Sequence, residues 1–462
     1  MAATATPSLL RRAPVRTRAA IAVVTVIIAA VGPAAARRVD IRGLERNGVT
    51  AILTTLWPRV AAAAATADWR ASPFETRVRD DLSRFRGAAQ GRNVVVIALE
   101  STGARYLQSY GASADPMPTI STLARQAIVF DAAYAVYPES IKGLFATMCS
   151  RAPGVDIPAE QLARAPCAAL ASQFVARGYR TALFHSGRFG YLGMDAVIAP
   201  QGFQTLADAG AIGGNVRSSF GVDEPSTVAA MLRWIDEHPG SPFMLAYMPI
   251  AGHHPYATPT PGPVKVVDEH SAYLNALHYA DTAVAALLAG LTERGIAEKT
   301  LFVIFGDHGE AFGQHDGNFG HSIFLYDENI RVPLLIAMPG MTTLGIRVTR
   351  VASVVDIAPT ILELTGAPVP ASYEGRSLLA PDDRMALFFT DYSLTWLGLR
   401  DGCWKYLVRV DTSADQLYDV CKDADERHDR ALAERARADV YRAHLLRWSG
   451  AVRDSLAATS AR

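Results

Sequence analysis

The sequence contains few cysteines and little charge of either sign. Four of its 462 residues are cysteine, 19% are charged, and 45 basic residues balance 45 acidic ones. A neutral chain of this kind lacks the basic surface that binds polyanions, and the sequence shows no nucleic-acid motif and no fixed-period repeat. Half of the residues are apolar, enough for a large buried core. We therefore expect a large enzyme-type domain with no nucleic acid partner.

Long hydrophobic runs are also scarce, and the most prominent uncharged one lies near the N-terminus. Residues 19–36 carry no charge and follow a basic segment, 1–18. As a helix this run would be about 27 Å long, close to the thickness of a bilayer's hydrocarbon core. We expect a single-pass anchor with 1–18 in the cytoplasm, a connecting helical linker over 37–90, and the remaining chain in the periplasm. A cleaved secretory signal ending at the alanines 34–36 is the alternative.

The cysteine spacing fits an exported protein. Cys149 and Cys167 lie 18 residues apart, as do Cys403 and Cys421. Three pairings are formally open, and we expect the two local disulfides. The first would hold the end of a predicted helix, and the second would close a predicted hairpin. Buried free thiols are the alternative.

Apolar strands alternate with helix-length segments through most of the chain. This alternation predicts an α/β fold with a mostly parallel central sheet and helices on both faces. From about residue 385 the pattern changes to a hairpin and a helix, which predicts a small α+β subdomain over 385–450 and a frayed tail over 451–462. The clearest strands are at 93–99, 243–248 and 301–306, and the clearest helices at 161–177, 225–237 and 270–293.

One of these strands ends abruptly on two polar side chains. Residues 301–306 form an apolar run that is followed at once by Asp307 and His308. The carboxyl ends of the strands form the ligand-binding edge of an open α/β sheet. A carboxylate and an imidazole at that edge suit a cation such as Zn²⁺ or Mn²⁺, although a turn with a helix N-cap explains the same residues.

Two further segments offer groups of the same kind. The strand 93–99 ends on Glu100, and Ser140 precedes an apolar stretch of helix length, 141–150. Both residues are also ordinary helix caps. Beside a divalent cation, however, a hydroxyl at a helix N-terminus can lose its proton and act as a nucleophile. Together with Asp307, these residues predict a metal-assisted nucleophilic site.

With these motifs, the sequence resembles the alkaline phosphatase/sulfatase superfamily. The resemblance is strongest to lipoteichoic acid synthases, phosphoglycerol transferases and phosphoethanolamine transferases, and it implies a catalytic domain over 91–384. It covers residues 92–433, and its motifs follow the family's order. They are NVVVIALEST, ESIKGLFATMCS, TALFHSGRFGY, PFMLAYMPIAGHHPY and FGDHGEAFGQHDGNFGHSIFLYDENIRVPLLI.

The resemblance implies one divalent metal ion, Mn²⁺, Zn²⁺ or Mg²⁺, and leaves room for a second. Its ligands would be Glu100, Ser140, Asp307 and His308, with Ser140 also acting as the nucleophile. The imidazole favours Mn²⁺ or Zn²⁺ over Mg²⁺.

Several histidines lie in the matching motifs. The resemblance implies that His321 and His254 act as acid or base, and that His185 and His253 bind the transferred group. Either member of the adjacent pair 253–254 could face the site. His315, in the same loop as His321, is expected to be solvated.

The segment around Ser140 indicates the subclass. Residues 140–144 read Ser-Ile-Lys-Gly-Leu and lack the Pro and Arg of the sulfatase motif, so conversion to formylglycine is not expected. The single Glu100 in place of paired aspartates resembles the phospho-group transferases. We therefore expect an exported phosphoester transferase or phosphodiesterase that forms a covalent serine intermediate on an envelope lipid or glycan. The alternatives are a sulfuric ester hydrolase without formylglycine and a non-catalytic envelope-binding pseudoenzyme.

Overall fold

The computed structural model describes residues 68–74, 80–214, 221–340, 342 and 344–460. The segment 1–18, the expected anchor or signal at 19–36, and the linker up to residue 67 lie outside the described residues. Across the described part of the chain, no helix is long and apolar enough to cross a membrane.

Fifteen strands are present among the described residues. Nine form the central sheet, four form a second sheet, and two form a short ribbon. In chain order they are β1 Asn93–Leu99, β2 Ile128–Tyr134, β3 Arg180–His185, β4 Thr205–Ala207, β5 Phe243–Met248, β6 Thr300–Gly306, β7 Ala311–Phe312, β8 Phe319–Gly320, β9 Arg331–Val332, β10 Leu334–Ala337, β11 Ile346–Ser353, β12 Ala386–Thr390, β13 Trp396–Asp401, β14 Trp404–Arg409 and β15 Asp415–Asp419.

Eleven α-helices connect and cover these strands in the described residues, and short 3₁₀ turns lie between them. They are α1 Pro118–Ala124, α2 Ser140–Cys149, α3 Ala159–Leu162, α4 Leu170–Val175, α5 Met194–Ile198, α6 Ala209–Ile212, α7 Glu224–Asp236, α8 Glu269–Glu293, α9 Asp327–Ile330, α10 Ile357–Leu364 and α11 Arg435–Ser460.

The central sheet is mostly parallel. Its order is β11-β2-β10-β6-β1-β5-β3-β4, with β9 paired to β2. The pairs among β6, β1, β5, β3 and β4 are parallel, and β10 runs antiparallel to both of its neighbours. Parallel neighbours bring the carboxyl ends of β1, β5, β6 and β3 to one edge. The expected α/β class is confirmed.

Helices cover both faces of this sheet because its strands are apolar on both sides. In β1, Val94 and Val96 belong to one core cluster, whereas Val95 and Ile97 belong to the other. Side chains alternate along a strand, so an uninterrupted apolar run supplies two buried faces. The first core also contains buried residues of α2, α4, α10 and α11, and the second contains those of α1, α7 and α8.

The C-terminal part forms a four-stranded antiparallel sheet, β12-β13-β14-β15, followed by α11. This agrees with the expected small subdomain. A third apolar cluster joins it to the central sheet, where Phe388 stacks on Tyr134 of β2 with ring centroids 5.7 Å apart. Both predicted disulfides are present, Cys149–Cys167 and Cys403–Cys421.

Two expectations about helices are wrong. The stretch 161–177 is not one helix, because Pro166 and the disulfide-bonded Cys167 separate α3 from α4. The expected frayed tail at 451–462 is instead helical as far as Ser460. Val452 and Leu456 are 5% and 2% exposed and belong to the main core, so burial holds this end of α11 in place.

Candidate active site

Two adjacent strand ends bring the first carboxylates together. β1 and β6 pair in parallel with Leu99 beside Gly306. The next residue on each strand, Glu100 and Asp307, therefore emerges at the same edge of the sheet. Gly306 is required there because a Cβ would lie 2.2 Å from the Thr102 carbonyl oxygen. The pairing register alone thus places both carboxylates side by side.

Ser140 reaches this edge from the N-terminus of α2. The side chain of Glu139 caps the helix by accepting hydrogen bonds from the Ile141 and Lys142 amides, at 3.1 and 3.4 Å. Ser140 is therefore the first helical residue and its hydroxyl is not used for capping. Instead, Ser140 Oγ donates to Glu100 Oε2 at 2.9 Å.

His308 completes a compact cluster. Its Nε2 lies 3.5 Å from Ser140 Oγ, 3.5 Å from Glu100 Oε1 and 3.7 Å from Asp307 Oδ2. The side chains of Glu100, Asp307 and His308 are at most 5% exposed. Nδ1 of His308 faces the Gly309 carbonyl oxygen at 3.0 Å, an arrangement that leaves Nε2 for the cluster. The structure thus brings together all four residues that the sequence assigned to a metal.

These residues fit a divalent cation. One ligand atom each from Glu100, Asp307 and His308 lies within 4.8 Å of the others. Asp307 Oδ1 accepts hydrogen bonds from the Ser101 and His308 amides, but buried Oδ2 accepts none from any described residue. A buried carboxylate oxygen without a donor is costly unless a cation satisfies it. Two carboxylates, an imidazole and a hydroxyl form a donor set suited to Mn²⁺ or Zn²⁺.

Burial and mutual charge shift the pKa values of the three ionisable side chains in the cluster. Burial by itself would raise the pKa of Glu100, but the hydrogen bond and charge of His308 hold that pKa well below its usual range. Burial, opposed by the charge of His308, raises the pKa of Asp307 to about 7. Burial would lower the pKa of His308, yet the charges of Asp307 and Glu100 outweigh it and raise that pKa to about 10. Without a metal, the site therefore holds a proton on His308 at neutral pH.

A second group adjoins the first, and the sequence reasoning missed one of its members. Nδ1 of His321 lies 2.8 Å from Glu310 Oε2, and the rings of His321 and His308 have centroids 4.2 Å apart. His308, Glu310 and His321 also place ligand atoms within 4.8 Å of one another. Glu310 is buried, and its position two residues after His308 was a signal that the sequence contained.

The two substrate-type histidines border the same edge. His185 ends β3, is buried, and places Nδ1 3.1 Å from the Met248 carbonyl oxygen. Burial lowers the pKa of His185, with the charge of Glu100 acting in the opposite direction. His253 is half-buried, and its charge contributes to lowering the pKa of Glu100. Both imidazoles are therefore within electrostatic range of the cluster.

Two other histidines lie elsewhere than expected. His254 has a side chain 60% exposed, with Nε2 3.8 Å from Glu269, so the structure does not bring it to the cluster. Of the adjacent pair, His253 is the more buried, and it is the one whose charge acts on Glu100. His315 is not solvated: it is buried, binds Glu328 at 2.6 Å and stacks on Tyr326. Lys142, two residues after Ser140, pairs with Asp391 at 2.9 Å.

The fold and the cluster at its sheet edge place the chain in the alkaline phosphatase superfamily, as the sequence motifs indicated. Within it, the chain belongs to the sulfatase family, whose model matches residues 92–367, more than half of the chain. A model of the C-terminal region of N-sulphoglucosamine sulphohydrolase matches residues 313–443.

Similar curated proteins are named as sulfatases. Arylsulfatase K from Bos taurus is 29% identical over 186 residues, which are 35% of this chain and 34% of that protein. Ulvan-active sulfatase from Formosa agariphila is 35% identical over 99 residues, 21% of this chain and 19% of that protein. The chain thus spans about a third or less of the length of these relatives.

Solved structures share the fold at low identity. A protein of the alkaline phosphatase superfamily from Vibrio parahaemolyticus has a TM-score of 0.66 at 19% identity, covering 85% of this chain and 95% of that one. The lipoteichoic acid synthase LtaP from Listeria monocytogenes has a TM-score of 0.59 at 17% identity, covering 78% and 94%. At these identities the likeness concerns the fold alone.

Proposed function

We propose that this chain is a metal-dependent hydrolase that cleaves an ester of a tetrahedral oxyanion, sulfate or phosphate, with unmodified Ser140 as the nucleophile. The observation that carries the proposal is the position of Ser140 Oγ, 2.9 Å from Glu100 Oε2 and 3.5 Å from His308 Nε2. A hydroxyl at a helix N-terminus, between a carboxylate and an imidazole, is placed to lose its proton and attack an anionic ester.

Glu100, Asp307 and His308 would hold the divalent cation. Bound there, a cation supplies two effects: it lowers the pKa of a nearby hydroxyl and offsets negative charge on the ester oxygens. The chain's own residues perform the remaining steps, and their roles follow from their positions around Ser140.

The reaction we propose proceeds in two displacements. Ser140 Oγ attacks sulfur or phosphorus in line, and its proton passes to Glu100 Oε2, to which it is already hydrogen-bonded. A covalent O–S or O–P bond forms while the bond to the leaving oxygen breaks, and His321 donates a proton to the departing alkoxide. Water then gives a proton to His321 and attacks sulfur or phosphorus of the serine ester. The bond to Ser140 Oγ breaks, Ser140 Oγ takes its proton back from Glu100, and sulfate or phosphate is released. His185 and His253 would bind the oxygens that do not react.

A sulfate ester on a glycan is the first substrate class. It is supported by the sulfatase family match and by the names of the curated relatives, arylsulfatase K and ulvan-active sulfatase. The serine would act without conversion to an aldehyde, since residues 140–144 lack the Pro and Arg of the modification motif.

A phosphoester on an envelope lipid or glycan is the second substrate class. An unmodified serine that forms a covalent phosphoester favours it, as does the single Glu100 in place of paired aspartates. In this version a second alcohol can replace water, so the reaction becomes a transfer. The structural neighbour from Listeria monocytogenes is named as a lipoteichoic acid synthase.

Export of the chain is part of the proposal. Two disulfides, Cys149–Cys167 and Cys403–Cys421, form readily in the periplasm and rarely in the cytoplasm. The uncharged stretch 19–36 would anchor the chain in the inner membrane or direct its secretion.

The test compares wild type with Ser140→Ala on p-nitrophenyl sulfate, p-nitrophenyl phosphate and bis-p-nitrophenyl phosphate, after chelation and reloading with Mn²⁺, Zn²⁺, Mg²⁺ or Ca²⁺. We expect metal-dependent turnover that falls by at least about 10³-fold in Ser140→Ala. Intact mass should show a covalent adduct on wild type that is absent from the variant. Ser172→Ala is the control, because Ser172 is a helical serine whose hydroxyl bonds the Gln201 carbonyl.

The substrate that turns over decides between the two ester classes. An aldehyde at position 140 would contradict the unmodified nucleophile. A protein that binds no metal and turns over none of the three esters would contradict catalysis altogether and support a binding role.

A further inference from the structure

A buried carboxylate lies behind the two substrate-side histidines. Glu224 is the first residue of α7 and is fully buried. Its Oε2 accepts hydrogen bonds from the hydroxyls of Ser186 and Tyr247, the latter at 2.5 Å. Its Oε1 accepts from the Ile250 and Ala251 amides at 2.9 and 3.2 Å. Four donors therefore converge on one carboxylate.

These four donors come from the two segments that carry the histidines. Ser186 directly follows His185 at the end of β3. Ile250 and Ala251 follow β5 and precede His253. Glu224 is thus a single point of attachment for both loops, although it lies far from each of them in the sequence.

The two histidine-bearing segments are packed so closely against neighbouring backbone that they have little room to move. A Cβ on Gly252 would lie 2.1 Å from the Glu100 backbone carbonyl oxygen, so the loop after Ala251 packs against the backbone of the residue that carries the metal-type carboxylate. A Cβ on Gly221 would lie 1.9 Å from the Ser186 carbonyl oxygen. On both sides the backbone approaches so closely that only glycine fits. A shift of either loop would consequently be felt at the site.

The stability of the fold does not explain why a carboxylate is buried at position 224. The four partners of Glu224 are neutral hydroxyl and amide groups, and burying a carboxylate on neutral donors is expensive compared with an apolar side chain of the same size. Buried polar groups of this kind commonly hydrogen-bond to active-site residues or to their loops and fix their orientation.

We infer that Glu224 is a positioning residue that fixes His185 and His253 toward the anionic group of the substrate. This inference rests on the proposed function, because it assumes that the two imidazoles bind oxyanion oxygens. Glu224 itself does not touch the substrate and acts through Ser186 and the 250–251 amides.

The test is Glu224→Gln in the full chain. Glutamine can keep its oxygen on the two backbone amides, but its NH₂ group would face the Ser186 and Tyr247 hydroxyls, which would then have to turn and accept instead of donate. We expect kcat/KM to fall roughly 10- to 100-fold, the range typical of such supporting residues. The loss should appear mainly in KM, with kcat and metal content little changed, because Ser140 and the metal-type ligands stay in place.

Asp281→Asn is the matched control. Asp281 is 1% exposed and its carboxylate accepts two amide hydrogen bonds, from Thr119 and Ile120. It should lose as much thermal stability as Glu224→Gln while KM stays at the wild-type value. Equal changes of KM in the two variants, or none in either, would overturn the inference.

Binding of inorganic sulfate and phosphate to the metal-loaded protein, measured by calorimetry, separates the two proposals. Glu224→Gln should weaken anion binding even if no ester is turned over. A wild type without turnover would contradict the proposed function, whereas unchanged anion affinity would contradict the role of Glu224. If Glu224→Gln does not fold, Ser186→Ala, which removes one donor, should raise KM and the anion Kd by a smaller factor. No change there would overturn the inference.

Discussion

At the scale of single residues, the protonation of each group in the cluster depends on the charge of its neighbours. His308 lies within 3.7 Å of both carboxylates, whose charges raise its pKa to about 10 despite its burial. A metal ligand must present a free nitrogen lone pair, so a cation has to displace this proton. Protons and metal therefore compete for one site.

This competition gives a prediction about pH. Because His308 is protonated below pH 10 in the metal-free site, Mn²⁺ affinity should rise as pH increases from 6 toward 10. At neutral pH, uptake should release between about one and two protons, because His308 gives up its proton and Asp307, with a pKa of about 7, is partly protonated as well. Calorimetric titration in buffers of different ionisation enthalpy measures this number. His254→Gln, which removes an exposed imidazole, is the control and should release as many protons as wild type. Metal uptake without proton release would contradict the assignment of His308.

Glu310 and His321 form a second residue-scale unit. Glu310 Oε2 binds Nδ1 of His321 at 2.8 Å, which holds the His321 ring beside that of His308, with centroids 4.2 Å apart. Burial by itself would raise the pKa of Glu310, but the charge and hydrogen bond of His321, together with the charge of His308, lower it, so the carboxylate stays ionised.

We predict that Glu310→Gln and His321→Gln each reduce kcat by roughly 10- to 100-fold. Because the two side chains act as one unit, the double variant should be little worse than the more damaging single variant. Steady-state kinetics of the three variants forms the cycle. Fully multiplicative losses would show that Glu310 and His321 act independently.

At the scale of elements, α2 is fixed at both ends. Glu139 caps its N-terminus beside Ser140, and the disulfide between Cys149 and Cys167 holds its last residue. A helix that carries a nucleophile at its first position depends on both attachments, since a small rotation would move Ser140 Oγ away from Glu100. The second disulfide closes the β14–β15 hairpin instead.

The two disulfides make a matched pair, because each closes a loop with a sequence separation of 18. Replacing either pair by alanines should lower the free energy of unfolding by about 3 kcal/mol, the loop-entropy value for this length. Turnover should fall in the Cys149→Ala, Cys167→Ala variant and stay near wild type when Cys403 and Cys421 are replaced. Urea unfolding and steady-state kinetics check the two parts. Equal turnover in both variants would show that the first disulfide does not position Ser140.

At the scale of the whole molecule, a buried ion triad joins the C-terminal sheet to the catalytic part. Lys405 of β14 is fully buried, and its Nζ lies 2.7 Å from both Asp327 Oδ1 and Glu426 Oε1. Asp327 opens α9, just after the loop that carries His321. Glu426 Oε2 also accepts a hydrogen bond from the Asp327 amide at 2.7 Å. The triad thus fixes the small sheet against the loop at the site.

Removing its one cation should be severe. Lys405→Met would leave the buried carboxylates of Asp327 and Glu426 without the cation between them and should lower the free energy of unfolding by about 3–5 kcal/mol. Lys422→Met is the control: Lys422 also pairs with a carboxylate, Asp419, at 2.9 Å, but its side chain is 85% exposed. Lys422→Met should change the free energy of unfolding by no more than about 0.5 kcal/mol. Denaturant unfolding of both variants measures the difference, and equal losses would contradict a structural role of the triad.

Local sequence was sufficient for the parts of this protein that depend on neighbours along the chain. Apolar runs marked β1, β5 and β6 because a strand buried on both faces must be apolar throughout. Glu100 and Asp307 were identified because each directly follows such a run, and parallel pairing then made them adjacent. The family motifs and the two local disulfides were likewise readable. The helix at 161–177 was not, because Pro166 and a disulfide override its apolar pattern.

Only the tertiary structure decided which side chains from distant segments meet. Of the adjacent pair, His253 is half-buried and acts on Glu100 through its charge, whereas His254 is exposed beside Glu269. His315 is buried because its ring stacks on Tyr326 and its nitrogens bind Glu328 and the Glu426 carbonyl oxygen. Glu310 joins the site because the loop returns His321 to hydrogen-bond distance of its carboxylate. These outcomes depend on contacts between residues far apart in the sequence, whereas hydrophobic periodicity reports only burial of a segment against its surroundings.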